Sequence, residues 1–314
     1  MKVFVAGATG ALGRHLVPML VEKGHDVVGM TRTESKRELL ASMGAQPVVA
    51  DALDPEAVGR VVSEAEPEVI VHQLTAIPGA FNPRRLERDF ALTNRLRTEG
   101  TDHLLSAGRA AGIRRFVAQS YFGGYARTGG AVKSEEDPLD PTPPAATRTT
   151  VEAITYLERA ITAADWMEGV VLRYGGFYGP GTSFAVKPPG EMVEGIRKRR
   201  FPIVGDGGGT WSFIHIEDAA SATLNAVERG PAGIYNVVDD EPARVRDWLP
   251  EAARALGAKR PMRFPRWLGR LAAGEAGVVM MTELRGASNA KAKRELGWRL
   301  RYPSWRQGFV EGLG

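Results

Sequence analysis

Two rhythms of apolar and polar residues divide this chain. Short apolar runs of strand length occur at Val3 to Ala6, Asp26 to Thr31, Gln46 to Ala50, Val69 to His72, Arg114 to Gln119 and Val170 to Arg173. Between them apolar residues fall at helical spacing, as in Leu12, Leu16, Met19 and Leu20. Helices are predicted over Glu34 to Met43, from Asp54-Pro55-Glu56 onward, over Pro83 to Ala111 and over Ala146 to Ala164. Strand and helix alternating in this way predict βαβ units, and so an α/β fold with a doubly wound parallel sheet. Beyond residue 174 the alternation weakens. A helix with a proline pair is predicted over Ser183 to Arg200, and a short strand over Ile234 to Val238. The tail to Gly314 reads as helical pieces rich in arginine. Residues 123–144 differ in texture, with Gly-Gly pairs, prolines and Glu135-Glu136-Asp137; they are read as a functional covering segment.

The first strand breaks at Gly7 and restarts as a helix through Gly7-Ala8-Thr9-Gly10-Ala11-Leu12-Gly13. A strand that enters a helix through glycines brings backbone N–H groups and the positive helix end against a pyrophosphate. A Cβ in the turn would block that approach, and one at Gly13 would push the helix off the sheet. The stretch predicts a dinucleotide site, with Gly7, Thr9, Gly10, Ala11, Leu12 and Gly13 around the phosphates. The end of the second strand decides the nucleotide. An NAD site normally carries an acidic residue there to accept the ribose hydroxyls. Here the strand ends in Thr31-Arg32-Thr33, and Arg32 can fork onto a 2′-phosphate while Thr31 donates to it. NADP is therefore expected rather than NAD; Glu34, which would favour NAD, is read as a helix cap. Asp51, followed by Ala52, either reaches the adenine or caps the next helix. Leu74, Thr75 and Ala76 form a small-residue loop beside the expected nicotinamide ribose.

Composition narrows the classes. At 34.0 kDa the chain can bury a large core. Its net charge of +4 is a small imbalance between 41 basic and 37 acidic residues. The densest basic run, Arg197-Lys198-Arg199-Arg200, reads as a solvated helix end rather than a nucleic-acid patch. With no cysteine, disulfides, thiolate metal sites and a cysteine nucleophile are excluded. The N-terminal apolar run is one strand long, and no apolar stretch approaches the roughly 20 residues a membrane helix needs. A cytoplasmic protein with a small-molecule substrate, and without a metal, nucleic-acid or membrane partner, is the expectation.

In this order the motifs resemble an extended short-chain dehydrogenase/reductase of the NAD-dependent epimerase/dehydratase type. The matching pieces are the glycine turn, Asp51, His72-Gln73-Leu74-Thr75-Ala76, Asn94 with Gly100-Thr101, and Phe116-Val117-Ala118-Gln119-Ser120. Further along come Leu172-Arg173, Tyr178-Gly179-Pro180-Gly181, Phe213-Ile214-His215-Ile216-Glu217-Asp218, Tyr235-Asn236-Val237 and Glu295-Leu296-Gly297-Trp298. The resemblance implies a Rossmann domain over 1–173, to which 210–238 returns. A smaller C-terminal α/β substrate domain is expected over 174–209 and 239–314, often in a homodimer. It also places Asn94, Gln119 and Tyr174 among the cofactor-binding residues, and implies hydride chemistry on a sugar, nucleotide sugar or other alcohol or ketone.

The chemistry of that family rests on a tyrosine, a lysine four residues later and a serine or threonine after strand five. No tyrosine-x-x-x-lysine occurs in this chain. Aligning Glu158 with the glutamate usual in that helix puts Thr150 at the tyrosine position and Ile154 at the lysine position. An isoleucine can neither hold a ribose nor lower a neighbour's pKa. Gly176 and Trp211-Ser212 likewise replace an asparagine and an arginine that grip nucleotide sugars. Ser120 keeps the serine position, and Tyr121 and Tyr125 follow it where a substrate carbonyl would lie, so these three are the candidate catalytic residues. Lys133 is read as solvated, His215 as a core or rim histidine, and Arg173 and Tyr178 as structural or pocket-lining. Two readings stay open: an NADP-dependent enzyme with a non-standard acid, and an inactive NADP-binding sensor.

Overall fold

The computed structural model describes residues 1–79 and 82–314. Seven parallel strands form the central sheet: β1 (Lys2–Ala6), β2 (Asp26–Thr31), β3 (Gln46–Val49), β4 (Val69–His72), β5 (Arg115–Tyr121), β6 (Glu168–Tyr174) and β7 (Gly233–Val237). Their spatial order is β7-β6-β5-β4-β1-β2-β3. From β1 the chain winds outward through β2 and β3, then returns beside β1 as β4 and winds the other way. Val3 thus pairs with Val27 on one side and Val69 on the other. Where the order reverses, a crevice opens beyond the C-terminal ends of β1 and β4. Central strands are covered on both faces, which is why Val69, Ile70, Val71, Phe116, Val117 and Ala118 run as unbroken buried apolar sequence.

The helices are α1 (Gly13–Glu22), α2 (Arg37–Ser42), α3 (Pro55–Ala65), α4 (Leu86–Arg97), α5 (Glu99–Ala111), α6 (Arg148–Thr162), α7 (Glu191–Arg197), α8 (Ile216–Glu228), α9 (Val245–Ala255), α10 (Arg266–Thr282), α11 (Ala290–Glu295) and α12 (Trp305–Glu311). On one face of the sheet, Leu16 and Leu20 of α1 and Val227 of α8 share a core with Val3, Val5 and Val71. On the other, Val58 and Val62 of α3, Leu104 of α5 and Leu157 of α6 pack with Phe4, Ile70 and Phe116. A third core is rich in aromatics, with Phe122, Tyr178, Phe184, Trp211, Phe213, Trp248, Trp305 and Phe309. Among the described residues, no helix is long and apolar enough to cross a membrane.

Three expectations are corrected. The helix predicted over Pro83 to Ala111 is two helices, broken at Thr98 with φ −101° and ψ −82°. There the Thr98 hydroxyl donates to the Asn94 carbonyl at 3.1 Å and competes for the backbone acceptor. Of the helix predicted over Ser183 to Arg200 only Glu191–Arg197 is α-helical; Pro188 and Pro189 lack donors, and extended Gly190 starts the helix. Lys133 is buried rather than solvated. Val132–Lys133 pairs in parallel with Gly286–Ala287, and the Lys133 ammonium donates to Asp137 at 2.9 Å. The basic run at 197–200 does end α7, with Lys198 paired to Glu194.

Candidate active site

The glycine turn has the shape a dinucleotide needs. Gly7 takes φ +93°, and a Cβ there would lie 2.6 Å from the Gln73 carbonyl oxygen, so the turn is pressed against the exit of β4. A Cβ on Gly13 would fall 2.5 Å from the Ala8 carbonyl carbon, which fixes how closely α1 packs. Gly10 is different: it is exposed, and a Cβ there would meet only the Gly7 carbonyl, at 3.2 Å, and otherwise project into the crevice. No side chain caps the start of α1; its Arg14 and His15 N–H groups bond the Gly10 and Leu12 carbonyls, and the positive helix end can act on an anion through its dipole. Thr9 and Ala11 flank the turn, and Leu12 is buried beneath it. Thr31 is buried and accepts the Thr33 N–H through its hydroxyl at 3.3 Å; Arg32, just past β2, is exposed. Asp51 accepts the Leu53 N–H at 3.0 Å in a local turn that also contains Ala52, whereas Asp54 caps α3 through the Glu56 and Ala57 N–H groups. These residues fit a dinucleotide.

The loop after β4 is held by side chains from three elements. Gln119 donates to the Leu74 carbonyl at 3.0 Å, and Thr93 accepts the Ala76 N–H at 3.0 Å. Thr75 lies between them. The His72 ring accepts the Leu74 N–H at Nδ1, which leaves Nε2 to donate to Thr101 at 3.1 Å. Burial lowers the His72 pKa to about 4, so the ring is neutral near pH 7. Gln73 donates to the Tyr174 hydroxyl at 3.2 Å, and that hydroxyl also bonds Thr223 at 2.6 Å. Tyr174 therefore sits in the core behind the loop.

The end of β5 carries a buried polar cluster. Ser120 donates to Glu158 Oε1 at 2.7 Å, and Arg173 grips both oxygens of Glu158, at 2.8 and 2.5 Å. The Arg173 guanidinium lies over the Tyr125 ring at 4.8 Å, and the Tyr125 hydroxyl donates to Asn236 Oδ1 at 2.8 Å. Glu135, from the segment after β5, accepts the Asn236 N–H at 2.7 Å. Burial, against the pull of Arg173, raises the Tyr125 pKa. The structure thus joins Ser120 and Tyr125 in one network and gives both hydroxyls protein acceptors. Tyr121 is partly exposed, and burial of its hydroxyl, opposed by Arg97, pushes its pKa up to about 12. His215 is a buried helix cap: it accepts the Glu217 N–H at α8 and pairs with the Gly312 carbonyl at 2.9 Å. On α6, Thr150 accepts from Asn94 at 3.3 Å and Ile154 is buried. Arg97 was not among the residues the sequence singled out, although it is 3 % exposed and neighbours Tyr121. The signal lay in the stripe Thr93, Arg97, Thr101, an arginine at helical spacing between two buried threonines.

Residues 3–237 match the NAD dependent epimerase/dehydratase family. The chain belongs to that family. It is 44% identical to the 3-diazoavenalumate denitrifying reductase of a Streptomyces species, over 98% of this chain and 99% of that protein. It is 29% identical to the UDP-glucose 4-epimerase of Mycolicibacterium smegmatis over 95% and 93% of the two chains. Among solved structures, the UDP-glucose 4-epimerase of Thermus thermophilus in complex with NAD superposes with a TM-score of 0.74. That pair is 26% identical and covers 100% of this chain and 98% of the other.

As a member of the epimerase/dehydratase family, the protein is an enzyme of the oxidoreductase/epimerase type with a nicotinamide dinucleotide cofactor. Its departures are visible in the fold. Trp211 stacks at 6.0 Å on Phe213 and donates to the Met280 carbonyl, and the Ser212 hydroxyl accepts the Ala287 N–H. Neither presents a cation.

Proposed function

We propose that this enzyme is an NADPH-dependent reductase of an aryl diazo compound, a substrate whose reduction requires no tyrosine–lysine proton relay. The observation that carries this reading is the α6 face, where Thr150 and Ile154 stand in place of a proton donor and the cation that would tune it. Reducing a ketone makes an alkoxide that must receive a proton as it forms, which calls for a positioned acid. When bound, a reduced nicotinamide supplies a hydride. An aryl diazonium that takes hydride at its terminal nitrogen becomes an aryl diazene. Loss of N2 then breaks the C–N bond and leaves a C–H bond, so two electrons convert Ar–N2+ to Ar–H. A diazo substrate and its denitrifying reduction are what the name of the 44% identical relative gives.

In this reading Tyr121 is the hydroxyl that faces the substrate, while Ser120 and Tyr125 hold the frame through Glu158, Arg173 and Asn236. The nicotinamide ribose lies along Leu74, Thr75 and Ala76, with Gln119 and Asn94 behind it. Exposed Arg32 with Thr31 supports NADP over NAD, and Asp51 remains the residue nearest an adenine. Self-association as a homodimer is part of the proposal; a cleft of about 680 Å³ on the outer side of α6, lined by Arg148, Val151 and Tyr156, offers a surface for it. Sedimentation showing only monomer would remove that part.

The test is NADPH oxidation with 2-hydroxybenzenediazonium, a ketone panel and UDP-glucose, each against a protein-free control. Consumption of NADPH confined to the diazonium supports the proposal, and turnover of a ketone or sugar nucleotide instead refutes it. No turnover with any substrate, while NADPH binds, would favour the sensor reading.

A further inference from the structure

We infer that Arg97, at the end of α4 and beside Tyr121 of β5, is the residue that receives an aryl oxyanion of the substrate. The inference takes the aromatic substrate from the reductase reading, and takes the charge from this structure alone.

Arg97 ends α4 in a buried stripe, four residues after Thr93 and four before Thr101 of α5. Its Nε and Nη1 are buried and have no hydrogen-bond partner among the described residues. One turn earlier on the same face, Asn94 donates to Thr150, and its Oδ1 is likewise buried and unpartnered. Near pH 7 the charge that acts on Arg97 is that of Glu158, since the neighbouring Tyr121 phenol, its pKa pushed up to about 12, stays neutral. Glu158 does not serve it as a partner, because both its oxygens are occupied by Ser120 and Arg173. One carboxylate therefore stands between two buried guanidinium groups, and one positive charge is unmatched. The nearby His72 adds no second positive charge, being neutral near pH 7 and engaged with Leu74 and Thr101.

Removing an ion from water without a hydrogen-bonded counterion costs several kcal/mol, and an anion brought to Arg97 would offset that cost. Burial draws Arg97 down to about 10, which still leaves it charged near pH 7. In the adjoining Glu158 network Arg173 Nη1 and Asn236 Nδ2 also have no partner among the described residues, so the orphan groups there are mostly donors, which suit an anion. For an ortho-hydroxyaryl diazo compound the consequence is chemical. A guanidinium beside the oxygen favours the form with negative charge on oxygen and positive charge on the diazo group, and that form accepts hydride at nitrogen. Arg97 thereby performs electrostatically what the missing relay does with a proton.

The experiment is a spectroscopic pH titration of 4-nitrophenol bound to the NADP+-loaded protein, comparing wild type, Arg97→Lys and Arg97→Met. Melting curves establish that each variant is folded. Wild type is expected to bind the anion in preference to the phenol, lowering the apparent pKa of the bound probe. Arg97→Lys should keep part of this shift, and Arg97→Met should bind the anion at least tenfold more weakly. No anion preference in the wild-type protein, or equal binding by folded Arg97→Met, overturns the inference. If neither variant folds, the wild-type titration decides it. A failure of diazonium turnover with nitrophenolate binding intact would refute the reductase reading and leave the Arg97 site standing; the converse result would do the opposite.

Discussion

At the scale of the residue, the proposal turns on which hydroxyl beside β5 is free to act. Ser120 and Tyr125 each donate to a buried acceptor, and Arg173 ties them together through Glu158. Burial works against the Arg173 charge, but the bond and attraction to Glu158 outweigh it and hold its pKa above the usual value. Tyr125→Phe is expected to leave Asn236 Oδ1 unpartnered and cost about 1–3 kcal/mol of stability, while turnover stays within severalfold of wild type. Urea unfolding alongside steady-state rates checks this, and a loss of turnover at unchanged NADPH affinity would restore Tyr125 as the acid. Glu158→Gln removes the carboxylate between two buried cations and should cost about 3–5 kcal/mol, visible as a lower urea midpoint. Serine and tyrosines were legible as candidates because they follow a strand. Their partners were not, because Asn236 lies more than a hundred residues away and nothing local marks the pairing.

At the scale of elements, the sheet strands were legible to within a few residues, since a run buried on both faces has no polar positions to blur its ends. The break at Thr98 and the extended chain before Glu191 were missed, because each depends on a competing hydrogen bond or a missing donor rather than on apolar period. The turn between β1 and α1 makes a direct prediction. Gly13→Ala drives a Cβ into the Ala8 carbonyl and should destabilise the fold by about 1–3 kcal/mol, lowering the melting temperature. The exit of β4 predicts a pH dependence. His72 has a pKa of about 4 in the fold against an ordinary 6.5, so between these values the unfolded chain binds the additional proton. The stabilisation is complete above about pH 6.5 and is lost as pH falls toward 4, a change of about 3 kcal/mol. Buried Asp218 and Asp239, whose pKa values burial raises, act in the opposite sense on acidification. The informative comparison is therefore with His72→Gln, which should flatten the decline of the urea midpoint between those pH values.

For the whole molecule, strand-helix alternation made the architecture legible, and a reversal of strand order beside β1 places the crevice without reference to any side chain. The substrate was not legible, because the surroundings proposed for it converge from Asn94, Tyr121 and Thr150 on three separate elements. Nucleotide choice lies between these cases, resting on one exposed residue at the end of β2. Arg32→Ala is expected to raise the KM for NADPH about tenfold or more, as a charge-assisted contact is worth about 1.5–3 kcal/mol, with little effect on NADH. Equal loss for both cofactors would refute a 2′-phosphate role. The central claim is that this epimerase/dehydratase family member reduces without the tyrosine–lysine relay, acting on a diazo group. It is tested most directly by measuring N2 release against NADPH consumed with 2-hydroxybenzenediazonium under anaerobic conditions. One N2 per NADPH, dependent on the protein, is the predicted result; NADPH oxidation or substrate conversion without N2 would contradict it.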